Sequence, residues 1–163
     1  MRMYAIGILA VLLASLILTP LVEMAIVYRE KIVMDSSIRN ASRVAKDRAL
    51  EFEGIRDLNA DIDEERFKDY FADALEDVMN LSRGSSAGNT VSFTSNDGIY
   101  NTVRVEFAFY EEDRPEGRVT EVEVRAEADY KFKTKLMRTA ESLNPALDYE
   151  LVTERAYVLT VKN

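Results

Sequence analysis

Acidic clusters are the main material in this sequence from which a reactive or metal-binding site could be built. Residues 61–65 begin like a calcium-binding loop, but Arg66 and Ala72 stand where such a loop needs its glycine and its final glutamate. We therefore predict a helix N-terminus here, where the helix dipole favours carboxylates. Residues 111–116 could hold a weakly bound calcium ion, although a solvated turn between two strands explains the same acids.

The composition removes most catalytic machinery. The 163 residues include no histidine, cysteine or tryptophan, so the chain has no imidazole base, thiolate nucleophile, disulfide or zinc site of the usual kind. Ser85 and Ser86 lack the Ser-x-x-Lys spacing of a Ser/Lys hydrolase, and no phosphate-binding loop or dinucleotide motif occurs. We therefore predict no enzymatic activity, no cofactor, no metal and no small-molecule substrate.

Charge is distributed unevenly along the chain. Overall, 21 Lys and Arg residues stand against 29 Asp and Glu residues, giving a net charge of −8. Residues 29–53 are mildly basic, with six cations and five acids, whereas residues 54–163 carry 14 cations and 23 acids. The acidic C-terminal part argues against nucleic-acid binding. The basic segment could attract the acidic part of a neighbouring subunit or contact lipid headgroups, and charge alone leaves both open.

The elements that would position any functional residue begin with an apolar segment. Residues 3–22 contain no charge and would form a helix about 30 Å long, which matches the hydrocarbon thickness of a bilayer. A cleaved signal peptide has a shorter apolar core of about 7–15 residues, so we predict a retained transmembrane anchor with the lipid bilayer as its partner. Pro20 lacks an N–H group and predicts a bend or local loosening of the helix.

Glu23 closes the apolar segment, at a depth where a charge is costly unless it is paired or reaches water. Either its carboxylate faces water or Arg29, or it pairs with a cation of a neighbouring subunit and sets the register of an assembly. Basic residues that follow the segment, including Arg39 and Arg43, favour a cytoplasmic body by the positive-inside rule. Long folded regions can nevertheless be translocated, so the orientation stays open.

A helical stalk is predicted to follow the anchor. Residues 29–53 contain no glycine or proline, and Gly54 is placed to end the helix. Apolar and small residues recur at spacings of three and four, which predicts a narrow packing stripe. The stripe consists of Met34, Ile38, Ala41, Ala45, Ala49 and Phe52.

The remaining residues predict an α+β fold, with a second helix packed on an antiparallel meander of about four strands. The helix should run from Asp61 to Leu81, because Asp61 and Glu64 have capping-box spacing. Its predicted apolar face consists of Ile62, Phe67, Phe71, Ala74, Leu75 and Val78. Residues 82–89 are predicted to form a loop.

Alternating apolar and polar residues then indicate strands over residues 90–95, 99–110, 118–134 and 149–161. A hairpin turn is predicted at residues 96–98, and a longer solvated turn at 111–117. Aromatic residues lie at core spacings in both the helix and the strands. The predicted organisation is an anchor at 1–28, a helical stalk at 29–54 and a head domain at 55–163.

Residues 22–50 carry a resemblance to a known family. This segment, VEMAIVYREKIVMDSSIRNASRVAKDRAL, resembles the TadE-like family of pilus-assembly and pilin-like proteins. The shared features are a glutamate that closes the apolar run (Glu23), an aromatic residue soon after it (Tyr28), and a pattern of small residues and arginine (residues 40–45). The resemblance implies a single-pass protein whose extracytoplasmic head joins, or helps to assemble, a surface filament.

We accordingly expect a structural pilin-like subunit, or a minor component, of a Tad or type IV-like pilus. It would associate with copies of itself or with other pilin-like subunits through the N-terminal helix, with the acidic head displayed outward. The alternative is a membrane-anchored extracytoplasmic binding or sensory domain that does not polymerise. The residues assigned to assembly are Glu23, Arg29, Arg39, Ala41, Arg43 and Ala45, and the helix bend is assigned to Pro20.

Overall fold

The computed structural model describes residues 2–49, 62–114, 117–144 and 150–159. Its helices are α1 (Arg2–Ala49), α2 (Glu64–Met79) and α3 (Lys135–Leu143). Its strands are β1 (Leu81–Ala87), β2 (Thr90–Ser95), β3 (Tyr100–Arg114), β4 (Gly117–Tyr130) and β5 (Glu150–Leu159).

The five strands form one antiparallel sheet in the order β1-β2-β3-β4-β5. Residues of one parity, such as Val105 opposite Ala126, are buried together, while their neighbours in sequence face away from the core. This alternation is expected for a sheet that is covered on one face only. The predicted α+β layout, with a long N-terminal apolar helix, a second helix and an antiparallel meander, is confirmed.

Strand β1 was not expected, because residues 82–89 were predicted to form a loop. Arg83 holds this segment against α2 through ion pairs to Asp69 (2.9 Å) and Asp73 (2.7 Å). Leu81 is buried at the start of the strand, and β1 pairs with β2 across an irregularity between Arg83 and Ser86. The loop prediction was therefore wrong for residues 82–87, where tertiary contacts outweigh the loop-like composition, whereas residues 88–89 form the turn to β2.

Strands β3 and β4 extend into the segment that was predicted to be a turn. Strand β3 continues to Arg114 and β4 begins at Gly117, so Glu111 and Glu112 pair within the sheet with Thr120 and Val119. The 111–117 turn prediction was wrong for these strand residues. The turn at residues 96–98 is confirmed, and Gly98 adopts a positive φ of 69° there.

The limits of α2 also differ from the prediction. Its N-cap is Asp63, whose carboxylate accepts a hydrogen bond from the backbone N–H of Arg66 at 3.1 Å, and the helix ends at Asn80 in the left-handed region. Asp61 lies outside the described residues. Val78 was predicted to be in the core but is 54% exposed, whereas Met79 is buried.

The second half of α1 and α2 pack against the buried face of the sheet. Phe67 and Phe71 on α2 meet Phe107 edge to face, with ring centroids 6.1 and 5.0 Å apart. On α1, the predicted stripe is buried at each of its described members, which are Met34, Ile38, Ala41, Ala45 and Ala49. Phe52 and Gly54 lie outside the described residues, and the domain limits at 28 and 54 stay predictions.

Candidate assembly interface

The first half of α1 projects from the body with its apolar side chains uncovered. Met3 is 87% exposed, Leu12 is 62% exposed and Val22 is 58% exposed. Judged by length and composition, α1 is long and apolar enough to cross a membrane, and it is the one such helix among the described residues. The helix continues through Pro20 to Ala49, so the bend assigned to Pro20 stays a prediction.

The change from exposed to buried helix occurs over one turn. Glu23 is 2% exposed and Val27 is 1% exposed, and from there one face of α1 lies against the rest of the chain. The head is thus attached to the apolar segment through continuous helix. A continuous helix holds two bodies in a fixed relative orientation better than a flexible linker does.

Glu23 is bound within its own chain. Its carboxylate accepts hydrogen bonds from the backbone N–H groups of Lys133 and Thr134, the latter at 3.1 Å, and from the Thr134 hydroxyl. Thr134 is the N-cap of α3, and its side-chain oxygen accepts a hydrogen bond from the Met137 N–H at 3.3 Å. The residue that closes the apolar segment therefore fixes the start of α3, an arrangement that neither sequence interpretation of Glu23 included.

We expect Glu23→Ala to loosen α3 without unfolding the sheet. Two backbone N–H groups would lose their acceptor, at a cost of about 1–3 kcal/mol. Amide hydrogen exchange of α3 in the full chain in detergent micelles should become about ten-fold faster or more. Asp47→Ala, which removes an exposed carboxylate from the same helix, is the matched control. Unchanged exchange in α3 would contradict the capping role.

Two further polar contacts hold α1 against the sheet. The Tyr100 hydroxyl donates a hydrogen bond to the Glu30 carboxylate at 3.0 Å. The Arg155 guanidinium donates to both carboxylate oxygens of Asp35, at 2.7 and 2.9 Å. Glu23, Glu30 and Asp35 thus connect α1 to α3, β3 and β5 respectively.

Burial raises the pKa of Tyr100, and the neighbouring Glu30 carboxylate raises it further. Below pH 10 both the folded and the unfolded chain keep this phenol neutral, so its hydrogen bond contributes fully. Above pH 10 the unfolded phenol ionises while the folded one does not, so stability falls as pH rises.

Tyr100→Phe should accordingly lower stability by about 1 kcal/mol near pH 8. The difference from wild type should shrink above about pH 10, because the variant lacks this titration. Chemical unfolding of the full chain in micelles at several pH values measures both effects. Tyr110→Phe, at a position that is 54% exposed, is the control and should show neither.

The predicted assembly residues fall into two groups. Ala41 and Ala45 are 1% and 0% exposed and are covered by the chain itself. Arg29, Arg39 and Arg43 are exposed on the outer side of α1, and Arg39 forms an ion pair with Asp35 at 3.1 Å. The structure therefore separates a buried stripe from an exposed basic side, and it does not bring these residues together into one surface.

Ala45→Leu should destabilise the body, because the side chain at this position is fully buried against the rest of the chain. Overpacking a close helix contact costs about 1–3 kcal/mol. Thermal unfolding of the full chain in micelles measures the loss. Ala25→Leu, at an exposed position on the same helix, should leave stability within about 0.5 kcal/mol of wild type. Equal stability of the two variants would contradict the packing.

Sequence reasoning missed the segment that follows β4. Lys131, Phe132, Lys133 and Thr134 continue the alternation of β4, so the segment was assigned to a strand. The strand instead ends at Tyr130, and Thr134 begins α3. One signal in the sequence could have indicated α3. Thr134 is a residue type favoured at helix N-caps, and it is followed by Leu136 and Met137 and then by polar residues.

Both acidic clusters extend beyond the described residues, since residues 61 and 115–116 lie outside them. Within the described part of the chain, no group of three or more Asp or Glu residues is placed to hold a metal ion. Asp63 caps α2, as expected of a helix N-terminus. Comparison of the chain with protein-family profiles, curated proteins and solved structures finds no match in any of the three.

Proposed function

We propose that this chain is a membrane-anchored, pilin-like subunit of a surface filament, assembled through α1 with its acidic head outward. The observation that carries the proposal is the two-part character of α1. Residues 3–19 are exposed and apolar, whereas beyond Glu23 one face of the same unbroken helix is buried against the head. Exposed apolar surface of this extent needs a partner, either lipid or another protein.

A filament would use both halves of α1. The apolar half would exchange lipid for the same half of neighbouring subunits, so that its surface stays buried throughout assembly. The fixed junction at Glu23 and Val27 would hold each head at the same angle to its own apolar half, as a regular helical polymer requires. A fixed junction of this kind between the head and the apolar half supports a structural role better than a flexible tether between them would.

Charge on the head is compatible with contacts between subunits. The outer face of β4 carries the partly exposed acids Glu121, Glu123, Glu127 and Asp129. The outer side of α1 presents Arg29, Arg39 and Arg43. Opposite charges on two different faces of one chain favour head-to-tail association of copies, which generates an open filament when the rotation does not close.

A domain that is anchored but does not polymerise is the second candidate. It is favoured by the burial of Ala41 and Ala45 and by the hydrogen bonds of Glu23, because these assembly candidates are already satisfied within the chain. In this case the apolar half of α1 would contact only lipid. Both candidates place the chain as a single-pass membrane protein with an extracytoplasmic head.

Two measurements separate the candidates. Electron microscopy and mass spectrometry of material sheared from cells should find filaments that contain this chain. Because the chain has no cysteine, the thiol of Val11→Cys can be labelled selectively with a photocrosslinker, and illumination of filaments should yield covalent dimers whichever residue of the neighbouring copy lies beside it. The same variant in dilute detergent micelles gives the background. Confinement of the chain to membranes, with crosslinking no higher than that background, would reject the filament and leave the anchored domain.

A further inference from the structure

Helix α3 is held close to the end of the apolar segment. Thr134, its N-cap, is hydrogen bonded to Glu23, which directly follows the last apolar residue of the segment. If the apolar segment lies in a bilayer, α3 begins at the level of the lipid headgroups. This placement follows from one set of contacts and requires no assumption about neighbouring subunits.

The segment that leads into α3, together with the first turn of α3, is strongly basic. Residues 131–138 hold four cations and no acid, although residues 54–163 as a whole carry 14 cations and 23 acids. The cations are Lys131, Lys133, Lys135 and Arg138, and all four side chains are exposed. None of them forms an ion pair with another residue in the described part of the chain. Their charge is therefore available to a partner.

Apolar surface accompanies these charges. Leu136 is 43% exposed and Leu143 is 80% exposed, and no residue of α3 is fully buried. An open groove between α1 and the start of α3 is lined by the apolar Leu18, Val22 and Ile26 and by the polar Thr19, Glu23, Lys133 and Thr134. The Glu23 carboxylate in it is already held by backbone N–H groups, which leaves the Lys133 cation for a ligand. Apolar residues next to this cation match an acyl chain joined to an anionic headgroup.

We propose that this surface binds an anionic phospholipid. The acyl chain lies along Leu18, Val22 and Ile26, and Lys133 and Lys135 contact the phosphate-bearing headgroup. Each Lys or Arg at an anionic membrane surface gives about a five-fold gain in affinity. The bound lipid would hold the head against the bilayer. The inference rests on the anchoring part of the proposed function and does not require a filament.

The acidic face of another copy would be a different partner for the same cations. The lipid is favoured because the groove continues directly from the apolar residues of α1, so that an acyl chain in it would be continuous with the bilayer around that helix.

A single tryptophan can report the lipid next to α3, because the natural chain contains none. Full-length Leu136→Trp is reconstituted in vesicles of phosphatidylcholine and phosphatidylglycerol in equal amounts, with only one of the two brominated in each sample. We expect brominated phosphatidylglycerol to quench the tryptophan at least about two-fold more strongly than brominated phosphatidylcholine. Tyr110→Trp, on the outer face of β3, should be quenched by neither.

The requirement for the lysine charges is tested in the chain that carries Leu136→Trp. Lys133→Gln with Lys135→Gln should bring the quenching ratio close to one, as should 1 M salt. Arg43→Gln with Arg104→Gln removes the same charge from exposed positions elsewhere and should leave the ratio unchanged.

Several outcomes would overturn the inference. Equal quenching by the two lipids would remove the anionic preference, and no quenching in a chain that floats with the vesicles would show that α3 does not face the bilayer. A change in tryptophan emission that depends on protein density and not on lipid charge would assign the cations to a second copy. Failure of the chain to float at all would reject the anchor, and the proposed function with it.

Discussion

Leu12→Lys combined with Leu13→Lys is expected to release the chain from membranes. Both residues lie near the middle of the exposed apolar half of α1, at 62% and 52% exposure. A lysine near the centre of a membrane helix costs about 2.5–3.5 kcal/mol on the insertion scale, and each lost leucine adds a few tenths. The total of about 6 kcal/mol corresponds to about four orders of magnitude in partitioning.

Synthesis of the chain in a cell-free system with added vesicles, followed by flotation, measures this effect without loss of uninserted protein to proteases. Wild type should float with the vesicles and the double variant should remain at the bottom. Val78→Lys with Tyr110→Lys is the matched control, because both residues are apolar and 54% exposed but lie on the body. A double Leu variant that floats as wild type does would contradict the anchor.

The parts of the fold that sequence predicted well are those with long, regular periodicity. The stripe on α1 recurs at three and four residues, so Met34, Ile38 and Ala45 could be assigned to one buried face before any contact was known. The alternation in β4 likewise identified Val122 and Val124 as core residues. In both cases the periodic pattern is local and repeats several times, so one residue that departs from it does not obscure the prediction.

Strand β1 shows where local signals fail. Its sequence, LSRGSSA, has the composition of a loop, and Leu81 is its only buried residue. The strand exists because β2 supplies a pairing edge and because Arg83 reaches Asp69 and Asp73 on α2. These partners lie 3 to 14 residues away and outside the segment itself, so propensity summed over the segment could not identify them.

The candidate site was predicted only in part. Glu23 was singled out because a charge beside an apolar run is costly, but its partners are Lys133 and Thr134, about 110 residues away. No periodicity links such distant positions. The basic segment before α3 was hidden for a different reason, since its alternation with Phe132 imitates a strand. Isolated residues with long-range partners are therefore where structure adds most.

Phe71→Ala should cost about 3–5 kcal/mol, the usual loss for a fully buried phenylalanine. Phe71 is 0% exposed and contacts both the Phe67 ring on its own helix and the Phe107 ring on β3. Because α2 also packs against the second half of α1, the cavity left by the missing Phe71 ring should loosen the attachment of the head to its apolar segment. Guanidinium unfolding of the full chain in micelles, followed by tyrosine near-ultraviolet circular dichroism, measures the loss.

Val78→Ala is the decisive comparison, because sequence periodicity placed Val78 and Phe71 on the same apolar face of α2. The structure leaves Val78 54% exposed, so its truncation should change stability by no more than about 0.5 kcal/mol. Hydrogen exchange in the buried half of α1 should rise in Phe71→Ala and stay at the wild-type rate in Val78→Ala. A large loss in the Val78 variant would mean that α2 is rotated relative to the sheet, and the attachment of α1 would then have to be reconsidered.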